Sequence, residues 1–235
     1  MNTPKSNDAA KAAPLLANNH FAAKLRGFGS LGIIAILVIL AGNLLLPPLG
    51  AVLVLIWVWL SHTPWHEIGY VRPKSSIRDA AVGVVFGITF KFLMKAVVMP
   101  LLGADPVNHA YHYLAGNRAA LPGAILTMIV VAGWGEETVF RGYMFERLSK
   151  LLGSGMGAKT SIVLITSVLF GALHYFVQGV PGVEQAMITG AVFGTIFAYT
   201  GSIFMPMVAH AAFDLTAVAI IYWDVESRVA HLVFR

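Results

Sequence analysis

Apolar stretches long enough to cross a hydrocarbon layer recur along this chain, and they constrain its fold more than any other feature. A helical span needs about 20 such residues. On that measure spans are expected near 28–46, 48–61, 79–102, 121–140, 160–178, 184–201 and 203–222. The second is short, and Pro47-Pro48 makes the first two a tight hairpin or one interrupted pair. Proline and glycine fall mostly at the joints, where breakers belong. Of the 235 residues 57% are hydrophobic and only 11% charged, with a mean hydropathy of +0.75. A soluble domain carries about 25% charged residues, so this chain cannot cover itself with polar surface and takes lipid as its solvent. The expected fold class is all-α, a polytopic transmembrane helical bundle of about seven spans.

The organisation follows from the same pattern. Residues 1–27 lack apolar periodicity and read as a disordered or surface-lying tail. Residues 28–120 hold the N-terminal spans, 121–223 a helical core, and 224–235 a C-terminal tail. The first apolar run ends without a small-residue cleavage site, which implies an uncleaved span. Loop charges set an orientation. Lys5, Lys11, Lys24, Arg26, Arg72, Lys74, Arg78, Arg141, Arg147, Lys150 and Lys159 fall on the side of the N-terminus, against Arg118, Arg228 and Arg235 on the other. Basic loops stay in the cytoplasm, so the N-terminus is expected inside and the C-terminus outside, as in a bacterial inner membrane. The net charge of +5 is spread over these loops and reads as topology rather than nucleic-acid binding. The absence of cysteine excludes disulfides, thiolate nucleophiles and cysteine-ligated metals. Tyr143 to Leu152 is amphipathic, fitting either a helix lying at the inner interface or a continuation of the fourth span.

Charge inside such spans is costly and marks function by default. Gly133 to Tyr143 holds Glu136, Glu137 and Arg141 directly after the apolar run Ala124 to Ala132. In a helix Glu137 and Arg141 are i and i+4 and able to pair, while Glu136 points about 100° away. The fifth span places Phe170 and His174 one turn apart, and the seventh does the same for His210 and Asp214. Each alone has a plain structural use: a packing clamp, an interhelical hydrogen bond, a fragment of a proton relay. Three such pieces on three helices imply one internal polar chamber, and hydrolysis is the chemistry such a chamber suits. Glu136 in a site of low dielectric is a competent general base toward water. Glu137 paired with Arg141 fixes the helix rotation. His174 shares the water or protonates the leaving amine, and His210 oriented by Asp214 stabilises an oxyanion. Alternatively, Glu136, His174 and His210 form a His₂Glu site for a divalent metal such as zinc with one open position. These residues do not choose between metal-bound and metal-free water. Lys91 and Lys95, i and i+4 in the third span, either receive a substrate carboxylate, pair with Asp214 or Glu184, or snorkel toward water. On these span limits Glu136 lies about five residues in from the inner surface and His174 about fourteen, a gap of ~13 Å along the membrane normal.

The sequence Glu136-Glu137-Thr138-Val139-Phe140-Arg141, then Phe170 to His174, then His210 to Asp214, resembles the CPBP family of intramembrane proteases. This is the family of the CAAX prenyl endopeptidases and of bacterial self-immunity and bacteriocin-processing proteins. Its pattern is E-E-x-x-x-R, F-x-x-x-H, and H-x-x-x-N or D; Ile68 to Pro73 adds a weaker likeness. The resemblance covers roughly 121–222. It implies an all-helical bundle around a site within the membrane, and peptide-bond hydrolysis. Glu136 with His174 would activate water, His210 with Asp214 would form the oxyanion site, and Glu137 and Arg141 would support them. Family members have been described both as metalloproteases and as glutamate proteases without an obligatory metal, so the cofactor stays open. An amide at position 214 would donate to an oxyanion where an ionised carboxylate cannot, so Asp214 is either protonated or orients His210, and the second is favoured. No H-E-x-x-H or G-x-S-x-G motif is present. The expected partners are the lipid bilayer and a peptide or protein substrate arriving from the membrane or the cytoplasm, with no nucleic acid. Two other uses of the same chamber are a non-catalytic scaffold or immunity protein and a small transporter or proton relay.

Overall fold

The structure, a computed structural model, describes residues 19–234. Positions 1–18 of the expected tail lie outside the described residues, but its last part is helical. Helix α1, Asn19–Arg26, meets α2, Ser30–Leu45, at a bend of 62°. Ala22 and Leu25 are buried, and the Leu25 carbonyl accepts from Trp57 Nε1 at 3.3 Å, so α1 is packed against the bundle. Helix α3, Pro47–Ser61, follows at once. Proline suits a first helical turn, where its missing N–H would have had no partner. His62 then ends the helix in the left-handed region at φ 53°. The long elements are α4, Ser76–Leu101, α5, Leu121–Leu152, α6, Met156–Thr200, and α7, Phe204–Tyr222. Short α8, Glu226–Ala230, closes the described chain and occupies part of the expected C-terminal tail. All seven apolar runs are helical and no strand occurs among the described residues, so the fold is all-α.

By length and apolarity α4 to α7 qualify as membrane spans, with a fifth if α1 and α2 act as one bent span. The seven expected spans exceed that count for two visible reasons. Helix α3 is short, and α6 is two helices in one. Its backbone breaks at Gly179 (φ 61°, ψ −156°), two residues before Pro181. The limbs then run back antiparallel. A methyl group on Gly190 would lie 3.1 Å from the Ser167 Cα, and one on Gly171 would lie 3.0 Å from the Val183 carbonyl. The expected end at 140 also moves. Helix α5 continues to Leu152, so Tyr143 to Leu152 is its continuation and not a separate interfacial helix.

The two ends of the bundle differ in charge. One gathers the 62–75 loop and the links on either side of α6. There the Ile203 N–H donates to the Gly69 carbonyl at 2.9 Å, and Lys150 pairs with Glu67 at 2.8 Å. The other gathers the 103–120 loop, the Gly179 break and α8. There the Gly116 N–H donates to the Tyr222 carbonyl at 3.0 Å, and the Asn108 N–H to Glu226 at 2.8 Å. Lys24, Arg26, Arg72, Lys74, Arg78, Arg147, Lys150 and Lys159 lie toward the first end, Arg118 and Arg228 toward the second. Arg141, counted above as a loop charge, is buried inside instead.

Helices α4 and α7 carry the closest packing. Gly83 and Gly87, one turn apart, leave room for α7. A methyl group on Gly87 would overlap the Ala209 carbonyl, and one on Gly83 would come 3.0 Å from Val208. Small residues at this spacing let two backbones approach without a hydrophobic drive from lipid. Phe90, Phe193 and Phe213 fill the space beside that contact, which sets the depth at which α7 presents His210.

Candidate active site

Most of α5 between Thr127 and Met144 is wound as π-helix. Such winding widens the turn and is frequent at functional sites. It is pinned from outside by Tyr70, whose hydroxyl accepts from Trp134 Nε1 at 3.0 Å and lies 2.8 Å from Thr138 Oγ1. Thr138 Oγ1 in turn donates to the Trp134 carbonyl at 2.7 Å. The widened turns carry Glu136, Glu137 and Arg141.

Glu137 is fully buried and takes two bonds on one oxygen. Arg141 Nη1 donates to Oε1 at 2.8 Å, and His210 Nδ1 donates to the same atom at 2.7 Å. A carboxylate accepts only, so the Nδ1 proton is assigned by that contact. Arg141 also donates to the Gly190 carbonyl at 3.3 Å and lies against the faces of Phe170 and Phe193, 4.9 and 5.8 Å from their centroids. The guanidinium therefore ties α5 to the second limb of α6, while Glu137 ties α5 to α7.

His210 Nε2 faces two further acids, Asp214 Oδ2 at 3.5 Å and Glu136 Oε2 at 3.9 Å. The sequence reading had Asp214 orient His210; the shorter bond comes from Glu137 on another helix. Glu136 and Asp214 keep partial exposure, 17% and 23% of their side chains, and look into one cavity. His174 looks into it as well. Its Nδ1 bonds the Phe170 carbonyl at 2.8 Å, which leaves Nε2 toward the cavity, and its ring packs edge-on against Phe170. The structure thus brings together Glu136, Glu137, Arg141, His174, His210 and Asp214.

The expected gap in depth closes because both helix limits move. Glu136 lies sixteen residues from the Leu152 end of α5, and His174 eighteen from the Met156 end of α6. At ~1.5 Å per residue the offset falls to about 3 Å.

The cavity holds about 140 Å³ and shares Lys91, Asn108, Gln178, Gln185, Ala217 and Ile221 with a chamber of about 450 Å³. That chamber reaches Asp105 and His109, which are exposed at the end poor in basic residues. Lys91 and Lys95 line it, with partners other than those expected. Lys91 Nζ donates to Gln185 Oε1 at 3.0 Å and Lys95 Nζ pairs with Glu226 at 3.4 Å, so neither pairs with Asp214 or Glu184. Lys91 is buried rather than snorkelling. Tyr111, from the 103–120 loop, also lines the smaller cavity. Burial, with the nearby Asp214 and Glu136 carboxylates, pushes its phenol up to about 12. No helical spacing singles it out in the sequence, because it acts from a loop.

The expected His₂Glu set does not converge as a metal site. Among the described residues no three His, Asp or Glu side chains gather closely enough to hold an ion. His210 Nδ1 is bonded to Glu137 and His174 Nδ1 to the Phe170 carbonyl, bonds that a metal-ligating histidine also makes.

Fold and site define the class: an all-helical integral membrane protein whose carboxylates and imidazoles meet at a cavity inside the bundle. Residues 118–216 match the family described as type II CAAX prenyl endopeptidase Rce1-like, a segment holding all six of these residues. The match supports the CPBP/CAAX protease family that the motifs of this segment resemble. No curated protein and no solved structure matches the chain.

Proposed function

We propose that the protein is an intramembrane endopeptidase in which Glu136 activates water against a peptide bond. The observation that carries this reading is the shared cavity of Glu136, His174, His210 and Asp214, with His210 held by Glu137 at 2.7 Å. Water between Glu136 and His174 gives its proton to Glu136 as its oxygen attacks the carbonyl carbon. His210, protonated at both nitrogens, donates from Nε2 to the developing oxyanion. The carbon–nitrogen bond then breaks, and Glu136, directly or through His174, returns the proton to the leaving nitrogen. Asp214 Oδ2, 3.5 Å from the same Nε2, faces that N–H between turnovers. Arg141 and Glu137 hold α5, α6 and α7 in register throughout.

The proposed orientation is N-terminus inside, placing the basic end of the bundle in the cytoplasm. The open chamber then faces the opposite side, so its substrate arrives from the membrane or that face and not from the cytoplasm. A bacterial inner membrane suits this arrangement. The test is a comparison of membrane-derived peptides from cells carrying the wild type or Glu136→Gln at equal abundance. New chain ends present with the wild type and absent with the variant support the reading. Identical peptide sets would replace it with a scaffold that uses the same chamber for partner binding.

A further inference from the structure

The hydrolytic chemistry leaves Lys91 unused. Its side chain is 6% exposed in the middle of α4, where an ammonium is costly to hold. Lys95, one turn on, is engaged by Glu226 and by the Pro106 carbonyl. Lys91 has no carboxylate within ion-pair distance among the described residues. It donates to Gln185 Oε1 at 3.0 Å and rests 4.5 Å from the centre of the Phe213 ring. An ammonium has three donors, so further capacity remains on Nζ. Gln185, with its oxygen turned to Lys91, keeps its amide N–H groups for another acceptor. Both residues line the catalytic cavity and the larger chamber, and so stand where the two join. The chamber's own acids are occupied: Glu226 by Lys95, the Asn108 N–H and His112, and Asp105 by the Val107 N–H and His109.

We propose that Lys91 and Gln185 form a carboxylate-receiving subsite, taking one bond from Nζ and one from the amide, that seats an anionic group of the substrate beside the scissile bond. The ligand carries its carboxylate either at a chain terminus or on an Asp or Glu side chain. Calling it a peptide rests on the hydrolase reading; the anion site itself does not.

The test measures binding in the Glu136→Gln background, where no turnover is needed, so failure of the hydrolase reading leaves it informative. Three dansyl-labelled probes are titrated into the full chain in detergent: Leu-Leu-Leu as the free acid, the same peptide as the amide, and Leu-Glu-Leu amide. At least one acid-bearing form is expected to bind about tenfold or more tighter than trileucine amide, as a charge-assisted contact requires. An advantage for the free acid identifies a chain terminus, and one for Leu-Glu-Leu amide identifies a side chain. Adding Lys91→Met should bring the forms within about twofold of one another. Gln185→Glu, which satisfies Lys91 from within while keeping the cation, should do the same and decides the matter if Lys91→Met fails to fold. Equal or unmeasurable binding of all three probes, or an acid preference that survives both changes, overturns the proposal.

Discussion

At the residue scale the account turns on Glu137. The spacing in the sequence shows its pairing with Arg141, because i and i+4 lie on one helix face. It does not show the bond to His210, since nothing in a sequence relates position 137 to 210 until two helices pack. Asp214 therefore seemed the orienting acid, being local to His210. The clamp is buried on both sides, and removing one partner of such a pair leaves an uncompensated charge. Arg141→Met is expected to cost about 3–5 kcal/mol, read as a fall in melting temperature in detergent that Glu136→Gln does not share. Tyr111 gives a prediction in pH. Its phenol moves from an ordinary 10.0 to about 12 in the folded protein. A raised value means that stability is full below pH 10 and is lost as pH climbs toward 12, because the unfolded chain releases the proton first. Tyr111→Phe should make the melting temperature less steep across that window. An unchanged slope would show that the ring is not held against the acids.

At the element scale the helices were legible and their limits were not. Apolar runs mark where a chain enters hydrocarbon, but the amphipathic stretch Tyr143 to Leu152 stays helical as part of α5. The π winding from Thr127 to Met144 was invisible, because it depends on Tyr70 bridging to Trp134 and Thr138 from a distant loop. The break in α6 was legible: the spans on either side of 179–183 were expected, and Gly179 alone adopts φ 61° there. The Gly83–Gly87 face depends on contact between helices and not on composition. Gly87→Ala should force α7 away from α4 at a cost of about 1–3 kcal/mol, measured by unfolding in mixed detergent. It should also slow turnover, by shifting His210 against Glu137. A variant as stable and as active as the wild type would mean that the α4–α7 contact yields without moving the site.

At the scale of the whole molecule, composition alone identified a membrane protein and three motifs identified one chamber, but neither located the mouth of that chamber. It opens beside Asp105 and His109, at the end away from the basic loops. The native chain has no cysteine, so single cysteines report sidedness without background. Ser154→Cys and Ser202→Cys should react with a membrane-impermeant maleimide from the cytoplasmic side only, and Asn117→Cys from the other side only. Opposite sidedness of 154 and 202 would show that α6 crosses once rather than doubling back. The central claim is narrower: Glu136 is the base that activates water. Its most direct test is kcat/KM of purified wild type and Glu136→Gln on a peptide found to be cut in membranes, at matched melting temperatures. The account predicts a loss of about 10²–10⁴-fold, the size of a general-base contribution, with KM nearly unchanged. Glu136→Gln turning over within a few-fold of the wild type would contradict it.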